Sequence, residues 1–433
     1  MAVTTLRAEV TDLLSRLIQV DTTNPPGNET TAAELLREYL EASGVECELY
    51  ARVPERANLV ARIRGRGDGP TLLFLSHTDV VLADPKEWSV PPFSGELRDG
   101  EIWGRGALDM KSQVAAEAVA MASLAREGFE PSGDLIFAAT ADEEVGDGFG
   151  LSWLCEEHPG AVRCDLAINE GAGERVQLGG GAYYICATAE KMTAPFRIHV
   201  RGRSGHASMP GIADNALVKA APLIERIAAY QPEQQVQQEV EACLRILLGE
   251  VPPADEVFAR MHEVDATFAD LLQALLSETF SPTIIGASQK RNVIPALCTV
   301  EVDCRLLPGQ TPAQIEPVVR SVLGGDVDYE LEFLEAQGGT RSSLDTPLWE
   351  AVDAWVTQAD PEARAVPIVC AGFTDSHWLR EAFGTVAYGF FPSRTMPGEV
   401  SATLIHSADE RIPVDDLELG LDWLRFAAHT VLA

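Results

Sequence analysis

Short apolar runs alternate with amphipathic helical stretches through much of this chain. In the first part of the sequence the runs lie at 58–63, 71–75, 134–139 and 165–168, with an alanine-rich helical stretch at 112–126. Near the C-terminus the alternation resumes at 347–356, 367–370, 385–390 and 416–431. Strands that alternate with helices form a mainly parallel sheet covered by helices. The sequence therefore predicts an α/β domain with helices on both faces of the sheet.

The middle of the chain has a different period. Side chains alternate between apolar and polar at 196–200, 298–306 and 327–333, which is typical of strands in a sheet that is buried on one face only. We therefore predict a smaller α+β domain at 193–338, inserted between 1–192 and 339–433. Within it, residues 231–280 are polar and then helical in pattern, and they are predicted to form a helical insertion.

Composition limits the partners that we expect. The 66 acidic residues outnumber the 33 basic ones, which gives a formal net charge of −33. A charge of this sign repels nucleic acid and anionic lipid, and no apolar run reaches the roughly 18 residues of a membrane span. The eight cysteines have no CxxC spacing, which favours reduced thiols. Since the N-terminus lacks the features of a signal peptide, we expect a cytoplasmic protein that binds neither nucleic acid nor membrane.

Histidine or carboxylate residues follow three of the apolar runs. His77 and Asp79 follow the second run, Glu143 and Glu144 the third, and Glu170 the fourth. Taken singly, each group is typical of a solvated loop. Ligands of open α/β sheets bind beyond the carboxyl ends of the strands. Three such ends with these side chains at one edge of the sheet favour a functional site.

Two further residues extend this candidate site. Asp109 lies in a glycine-containing turn before the helical stretch at 112–126, and His406 lies near the C-terminus. Two histidines and several carboxylates can hold two divalent ions that are bridged by a carboxylate. Zinc suits this mixture of nitrogen and oxygen ligands best, and cobalt and manganese are alternatives.

Six short motifs stand out along the chain: HTDVV at 77–81, GRGALDMK at 104–111, EE at 143–144, SGHAS at 204–208, NVIP at 292–295 and DCRLLPG at 303–309. They resemble the motifs of the M20 family of metallopeptidases and deacylases, and the resemblance covers nearly the whole chain. The family includes aminoacylases, acetylornithine and succinyl-diaminopimelate deacylases, and carboxypeptidase S-like enzymes. The phrases SPTI at 281–284 and QKRN at 289–292 look most like the carboxypeptidase S and N-acyl-amino-acid branch.

The resemblance implies a set of metal ligands. Asp109 bridges both metals. His77 and Glu170 complete one site, whereas Glu144 and His406 complete the other. The family also has a cis peptide bond after the bridging aspartate.

The resemblance also implies catalytic residues. Glu143 is the general base, and Asp79 accepts the far N–H of His77 and so fixes its tautomer. His206, in the inserted domain, stabilises the oxyanion. In dimeric members this histidine reaches the active site of the partner, so His206 acts in cis or in trans. Without the other motifs, His206 would be interpreted as a surface histidine.

Three residues are implied to bind substrate. Asn292 and Arg305 bind its carboxylate, a role for which the planar guanidinium is well suited, although solvated polarity at a strand edge is the plainer interpretation. Gly372 begins the segment 372–377, which resembles a glycine-rich substrate loop of the family. Related aminoacylases tend to carry arginine where this chain has His377, so their substrate specificity is not carried over to this chain.

The reaction implied is hydrolysis of the amide bond of a small N-acyl amino acid or a short peptide. A deacylase and a dipeptidase or carboxypeptidase are alternatives. A non-catalytic metal-binding member is a third, but the complete set of ligands and the base argue against it. A single-zinc hydrolase has no support, because no HExxH motif occurs. The inserted domain is expected to act as a lid, and in the family such a domain can form a homodimer.

Overall fold

The structure is a computed structural model that describes residues 5–433. Residues 1–4, which belong to the segment interpreted above as lacking a signal peptide, lie outside the described residues. The chain divides into two compact units. Unit 1 contains the described chain up to Thr188, together with Ser342–Ile368 and Thr374–Ala433, and unit 2 contains Ala189–Arg341 and Val369–Phe373.

The helices and strands follow in three blocks. The first block contains α1 (Leu6–Ile18), α2 (Thr30–Glu41), β1 (Glu46–Ala51), β2 (Ala57–Ile63), β3 (Leu72–His77), β4 (Glu96–Arg98), β5 (Glu101–Trp103), α3 (Lys111–Arg126), β6 (Leu135–Thr140), α4 (Leu151–Glu157), α5 (Pro159–Val162), β7 (Leu166–Asn169), β8 (Arg175–Leu178) and β9 (Gly181–Glu190).

The second block contains β10 (Met192–Thr193), β11 (Phe196–Arg201), β12 (Gly205–His206), α6 (Ala216–Ala229), α7 (Gln238–Leu248), α8 (Ala254–His262), α9 (Ala266–Ala274), β13 (Thr279–Gly286), β14 (Val293–Ile294), β15 (Leu297–Leu306), α10 (Pro312–Leu323), β16 (Glu330–Phe333) and β17 (Thr340–Arg341). The third contains α11 (Pro347–Ala359), β18 (Ala363–Cys370), α12 (Ser376–Phe383), β19 (Val386–Gly389), α13 (Gly398–Leu404), β20 (Arg411–Pro413) and α14 (Val414–Val431).

The central sheet of unit 1 has the strand order β1-β2-β6-β3-β7-β19-β9. The inner strands β6, β3, β7 and β19 run parallel, whereas the outer pairs β1–β2, β2–β6 and β19–β9 are antiparallel. The predicted fold class, a mainly parallel α/β sheet with a second α+β part, is confirmed.

Helices cover both faces of this sheet, and the first four residues of β3 are apolar and buried. Leu72 and Phe74 pack into a core formed with α1, α2, α3, α11 and α14. Leu73 and Leu75, which point the other way, pack into a second core with α4, α5 and α12. Successive side chains of a strand point to opposite faces, so one apolar run supplies both cores.

Helix α3 fixes the loop that precedes it. The helix is rich in alanine, a strong helix former, and every residue from its first to Leu124 is buried. Nζ of Lys111, its first residue, donates hydrogen bonds to the carbonyl oxygens of Leu17 and Val20. Burial lowers the pKa of Lys111 to about 7. The lysine thus ties the start of α3, directly after Asp109, to the end of α1.

Unit 2 contains a sheet with the order β10-β15-β11-β16, in which β13 also pairs with β15. In β15, buried and partly exposed residues alternate, and the buried ones form a core with α6 and α10. Helices α7, α8 and α9 lie within residues 231–280. The predicted strand at 327–333 is shorter than expected, because β16 begins only at Glu330.

Among residues 5–433, no helix combines the length with the apolar character that crossing a bilayer requires.

We predict that Phe74→Ala lowers the free energy of unfolding by about 3–5 kcal/mol, because Phe74 is fully buried and its removal leaves a cavity in the core. Urea denaturation monitored by circular dichroism measures the change. The matched control is Leu82→Ala, at a side chain that is 67% exposed, where a change within about 0.5 kcal/mol is expected. Equal losses in the two variants would contradict the assigned core.

Candidate metal centre

The parallel strands of unit 1 end at one edge of the sheet. Their register pairs His77, the last residue of β3, with Thr140, the last residue of β6. The loops that follow the strands carry Asp79, Glu143 and Glu170. Side chains from distant parts of the sequence therefore meet at this edge, as expected for the carboxyl ends of an α/β sheet.

Asp109 lies between two histidines. Its Oδ1 is 3.2 Å from Nε2 of His77, and its Oδ2 is 3.0 Å from Nε2 of His406. The peptide bond between Asp109 and Met110 is cis, which confirms the prediction for this bond. One carboxylate therefore contacts imidazoles that are 329 positions apart in the sequence (406 minus 77).

Three glutamates surround the two histidines. Nε2 of His77 is 3.7 Å from Oε1 of Glu170 and 3.9 Å from Oε2 of Glu143. Nε2 of His406 is 3.3 Å from Oε2 of Glu144. Each imidazole thus faces at least one glutamate in addition to the shared aspartate.

Two groups of these side chains have the arrangement of a metal site. His77, Asp109 and Glu144 form one group, and His77, Glu143 and Glu170 form the other; in each, one ligand-type atom per residue lies within 4.8 Å of the others. Oε1 of Glu144 is buried and has no hydrogen-bond partner among residues 5–433. A buried carboxylate oxygen without a donor is costly, and a cation would satisfy it. The side chains therefore fit a divalent ion.

The protonation of the glutamates reflects their crowding. Burial, and then the charge of Glu170, raise the pKa of Glu143 well above its usual range. Burial raises the pKa of Glu144 to about 7 and that of Glu170 to about 8. Carboxylates so placed hold their charge only beside positive groups, which again favours cations at this edge.

The imidazoles compensate part of this negative charge. Burial raises the pKa of Asp109, but hydrogen bonds with His406 and His77 outweigh burial and lower it. The hydrogen bond with Asp109 raises the pKa of His406. Burial lowers the pKa of His77, yet contacts with Asp109 and Asp79 outweigh it and raise that pKa well above its usual value. The aspartate and the two histidines thus form one ionic cluster.

Asp79 holds two parts of the site together. Nδ1 of His77 is 3.0 Å from the carbonyl oxygen of Asp79 and 3.5 Å from its Oδ1. The Asp79 carboxylate also accepts hydrogen bonds from the backbone N–H groups of Glu143 at 3.2 Å and Glu144 at 3.1 Å. A single buried residue therefore orients the imidazole and fixes the loop that carries both glutamates.

A buried polar network behind Asp79 was missed by sequence reasoning. Nδ2 of Asn24 donates to Oδ2 of Asp79 at 2.9 Å and to Oδ1 of Asp142 at 3.2 Å. Nη2 of Arg56 donates to Oδ1 of Asp142 at 3.1 Å, and the same guanidinium binds Glu29 through two hydrogen bonds. Asp142 has a positive φ of 69°, a conformation that few residues adopt without support. The network supplies that support directly before Glu143.

The loop at 372–377 leads into the interior of unit 1. Thr140 Oγ1 donates to Asp375 at 3.0 Å, and burial raises the pKa of Asp375 to about 7. His377 is fully buried in α12, and burial lowers its pKa to about 4. Arg380 donates to Oγ of Ser342. His377, where related aminoacylases tend to carry arginine, is thus a buried position.

The other predicted site residues belong to unit 2. His206 is exposed on β12, with Nδ1 2.7 Å from Oγ of Ser208. Strand β12 pairs with β14, and the carbonyl oxygen of Asn292 accepts a hydrogen bond from the N–H of Ala207. Gly372 has free space beside its Cα, because a Cβ added there would have no described atom within 4 Å. His206 and Asn292 therefore lie on one small ribbon.

Arg305 has partners on its own face of the sheet. Its Nη1 donates to Oγ1 of Thr193 at 2.6 Å, and Nε and Nη2 donate to the two carboxylate oxygens of Asp303 at 3.1 and 3.2 Å. The pair is partly exposed. Such a fork-to-carboxylate contact orients the guanidinium plane.

The chain is similar to known proteins over most of its length. The sequence profile of Peptidase family M20/M25/M40 matches residues 73–430. A succinyl-diaminopimelate desuccinylase of Delftia acidovorans (strain DSM 14801 / SPH-1) is 28% identical over 417 residues, which make up 94% of this chain and 94% of that protein. The N-fatty-acyl-amino acid synthase/hydrolase PM20D1 of Xenopus tropicalis is 28% identical over 367 residues, 80% of this chain and 70% of that protein.

Among solved structures, the M20 family metallo-carboxypeptidase Sso-CP2 from Sulfolobus solfataricus has a TM-score of 0.74 at 16% identity. The match covers 98% of this chain and 99% of that one. At this identity the similarity describes the fold, and function has to be argued from the site.

We predict that Asn24→Ala destabilises unit 1 by about 2–3 kcal/mol, since the carboxylates of Asp79 and Asp142 lose a buried donor. Chemical denaturation gives the free energy of unfolding. The matched control is Asn28→Ala, an exposed asparagine four positions later, for which little change is expected. If both variants unfolded alike, Asn24 would not bridge the two aspartates.

Proposed function

Because the chain belongs to Peptidase family M20/M25/M40, we propose that it is a two-metal hydrolase of N-acyl amino acids or short peptides. The family and the related desuccinylase make it a hydrolase that acts on amide or peptide C–N bonds. The position of Asp109 is the main support for two metal ions, because its two carboxylate oxygens face the Nε2 atoms of His77 and His406.

The metal ligands are assigned from this arrangement and from the family motifs. Asp109 would be shared by two ions, His77 and Glu170 would hold one of them, and Glu144 and His406 would hold the other. The short distances and the orphaned oxygen of Glu144 support the assignment. Zinc suits the mixed nitrogen and oxygen ligands, with cobalt and manganese as alternatives. Two divalent ions bound there would polarise the amide carbonyl and lower the pKa of water.

Glu143 is assigned as the general base. Its carboxylate takes a proton from the attacking water and later gives it to the leaving nitrogen. Two observations support this role. The pKa of Glu143 is raised, so that the side chain can hold a proton between the two transfers, and its backbone is fixed by Asp79. Asp79 acts by orienting His77.

Four residues of unit 2 are assigned to the substrate. We expect His206 to stabilise the oxyanion, and Asn292, Arg305 and Gly372 to bind substrate. The exposure of His206 and the oriented guanidinium of Arg305 support these roles. A lid and a homodimer interface formed by residues 193–338 stay predictions from the family resemblance. The same resemblance allows His206 to act in cis or in trans.

The substrate is proposed to be a small acylated amino acid. One similar protein is named a desuccinylase and another an N-fatty-acyl-amino acid synthase/hydrolase, and both names favour an acylated amino acid as substrate. The structural neighbour is named a metallo-carboxypeptidase, and a dipeptidase or carboxypeptidase activity is therefore the second candidate. Nucleic acid is not expected as a partner, because of the net charge of −33, and the cytoplasmic location stays a prediction.

We predict that the protein loaded with zinc, cobalt or manganese hydrolyses at least one member of a panel of N-acetyl, N-succinyl, N-long-acyl and dipeptide substrates. Release of the free amino acid is measured with ninhydrin or by chromatography. Chelator-treated protein is the control and should be inactive until metal is restored. Full activity after removal of metal would contradict the proposal, and the preferred substrate separates deacylase from peptidase.

Removal of the base and removal of a ligand should have different signatures. We predict that Glu143→Ala keeps two ions and loses roughly 10²–10⁴-fold in kcat, the usual range for general-base catalysis. His406→Ala should instead bind a single ion tightly. Metal analysis and steady-state kinetics on both variants make the comparison. Loss of an ion from Glu143→Ala would identify Glu143 as a ligand and sink its assignment as the base.

A further inference from the structure

Glu410 is a fully buried carboxylate four positions after His406. Its side chain is outside the groups that face the two histidines. Its side chain reaches the turn at 104–109, which ends at Asp109. The residue therefore touches the loops of two proposed ligands.

The carboxylate of Glu410 accepts four hydrogen bonds from this turn. Oε2 accepts from Nη1 of Arg105 at 2.6 Å and from the N–H of Gly106 at 3.0 Å. Oε1 accepts from the N–H groups of Leu108 at 2.7 Å and Asp109 at 2.9 Å. Three of the four donors are backbone groups, so the contact fixes the path of the main chain up to Asp109.

The shape of the turn directs these N–H groups to one point. Gly104 and Gly106 have φ values of 147° and 86°, which glycine adopts without steric cost. A Cβ at Gly106 would lie 2.9 Å from Cγ1 of Val80, so a larger residue does not fit. Successive N–H groups in such a turn form a concave anion-binding surface, and here the anion is a side chain of the protein.

The chain on both sides of Glu410 is held as well. Its carbonyl oxygen accepts a hydrogen bond from the N–H of Gly104, and β20, which follows it, pairs antiparallel with β5. The carboxylate of Asp409 accepts hydrogen bonds from the N–H and Oγ of Ser89, both at 2.7 Å. His406 and Asp409 have positive φ values of 60° and 59°. The loop of His406 is thus fastened to the strand and turn that precede Asp109.

We propose that Glu410 is a positioning residue that holds Asp109 and His406 at the spacing at which they bind one metal ion together. This inference rests on the proposed two-metal function. A carboxylate is required because it only accepts hydrogen bonds, and charge strengthens each of them. The side-chain amide of glutamine has only one acceptor oxygen. Its NH₂ group would face the N–H donors that the other carboxylate oxygen of Glu410 binds, and those donors would lose their acceptor.

A purely stabilising ion pair between Arg105 and Glu410 is the competing explanation, since removal of one partner of a buried ion pair is strongly destabilising. The two explanations differ in what Glu410→Gln does to metal binding. An ion pair that only stabilises the fold leaves the metal affinity of the folded protein unchanged. A positioning residue changes that affinity, because groups that orient metal ligands typically contribute 10–100-fold.

The test is a zinc titration of the metal-free full-length protein by calorimetry, together with competition against a chromogenic chelator. We expect two ions in the wild type, and in Glu410→Gln roughly 10–100-fold weaker binding of one of them. The matched control is Asp134→Asn. Asp134 also joins an arginine, Arg62, to a backbone N–H, that of Gly65. It precedes β6 and so lies at the amino end of the strands.

The outcomes separate this inference from the proposed function. Two ions bound with wild-type affinity by folded Glu410→Gln would overturn the role of Glu410, even if the variant were less stable to heat. A similar loss of affinity in Asp134→Asn would also overturn it. Should Glu410→Gln not fold, Glu410→Asp, which keeps the charge on a shorter side chain, is expected to show the same weaker site. Failure of the wild type to bind two ions would instead reject the two-metal function itself.

Discussion

The shared contact of Asp109 with two histidines is the interaction on which this site depends. His77 ends a central strand, whereas His406 lies in a loop near the C-terminus, and neither is near Asp109 in sequence. The sheet brings the first to its edge, and α3, fastened by Lys111 to α1, fixes where the turn of Asp109 ends. The packing of unit 1 therefore sets the geometry of the cluster.

The site also concentrates negative charge in a buried place. Burial raises the pKa of Glu144 and Glu170 to about 7 and 8, and the two imidazoles cannot balance the carboxylates around them. These carboxylates keep their charge only beside positive groups, and otherwise they take up protons. Divalent cations would supply that positive charge and support the amide hydrolysis of the peptidase family to which the chain belongs.

Much of this could be predicted from the sequence, and the failures have physical causes. Buried strands such as β2, β3, β6 and β7 appear as short apolar runs, so their positions were correct within one or two residues. Strand β9, from Gly181 to Glu190, was missed, because small and polar residues interrupt its apolar pattern. Asn24, Arg56 and Glu410 were missed for a different reason: in a sequence, a buried polar residue looks the same as a solvated one. Only coordinates show which backbone groups it binds.

Asp79 and Glu410 hold their loops mainly through main-chain amides. Every amino acid except proline offers the same amide, whichever side chain it carries. These hydrogen bonds therefore do not depend on the side chains of Asp109, Glu143 and Glu144, which stay free to serve the metal centre. The shape of the two loops and the chemistry of the site are thus encoded by different residues.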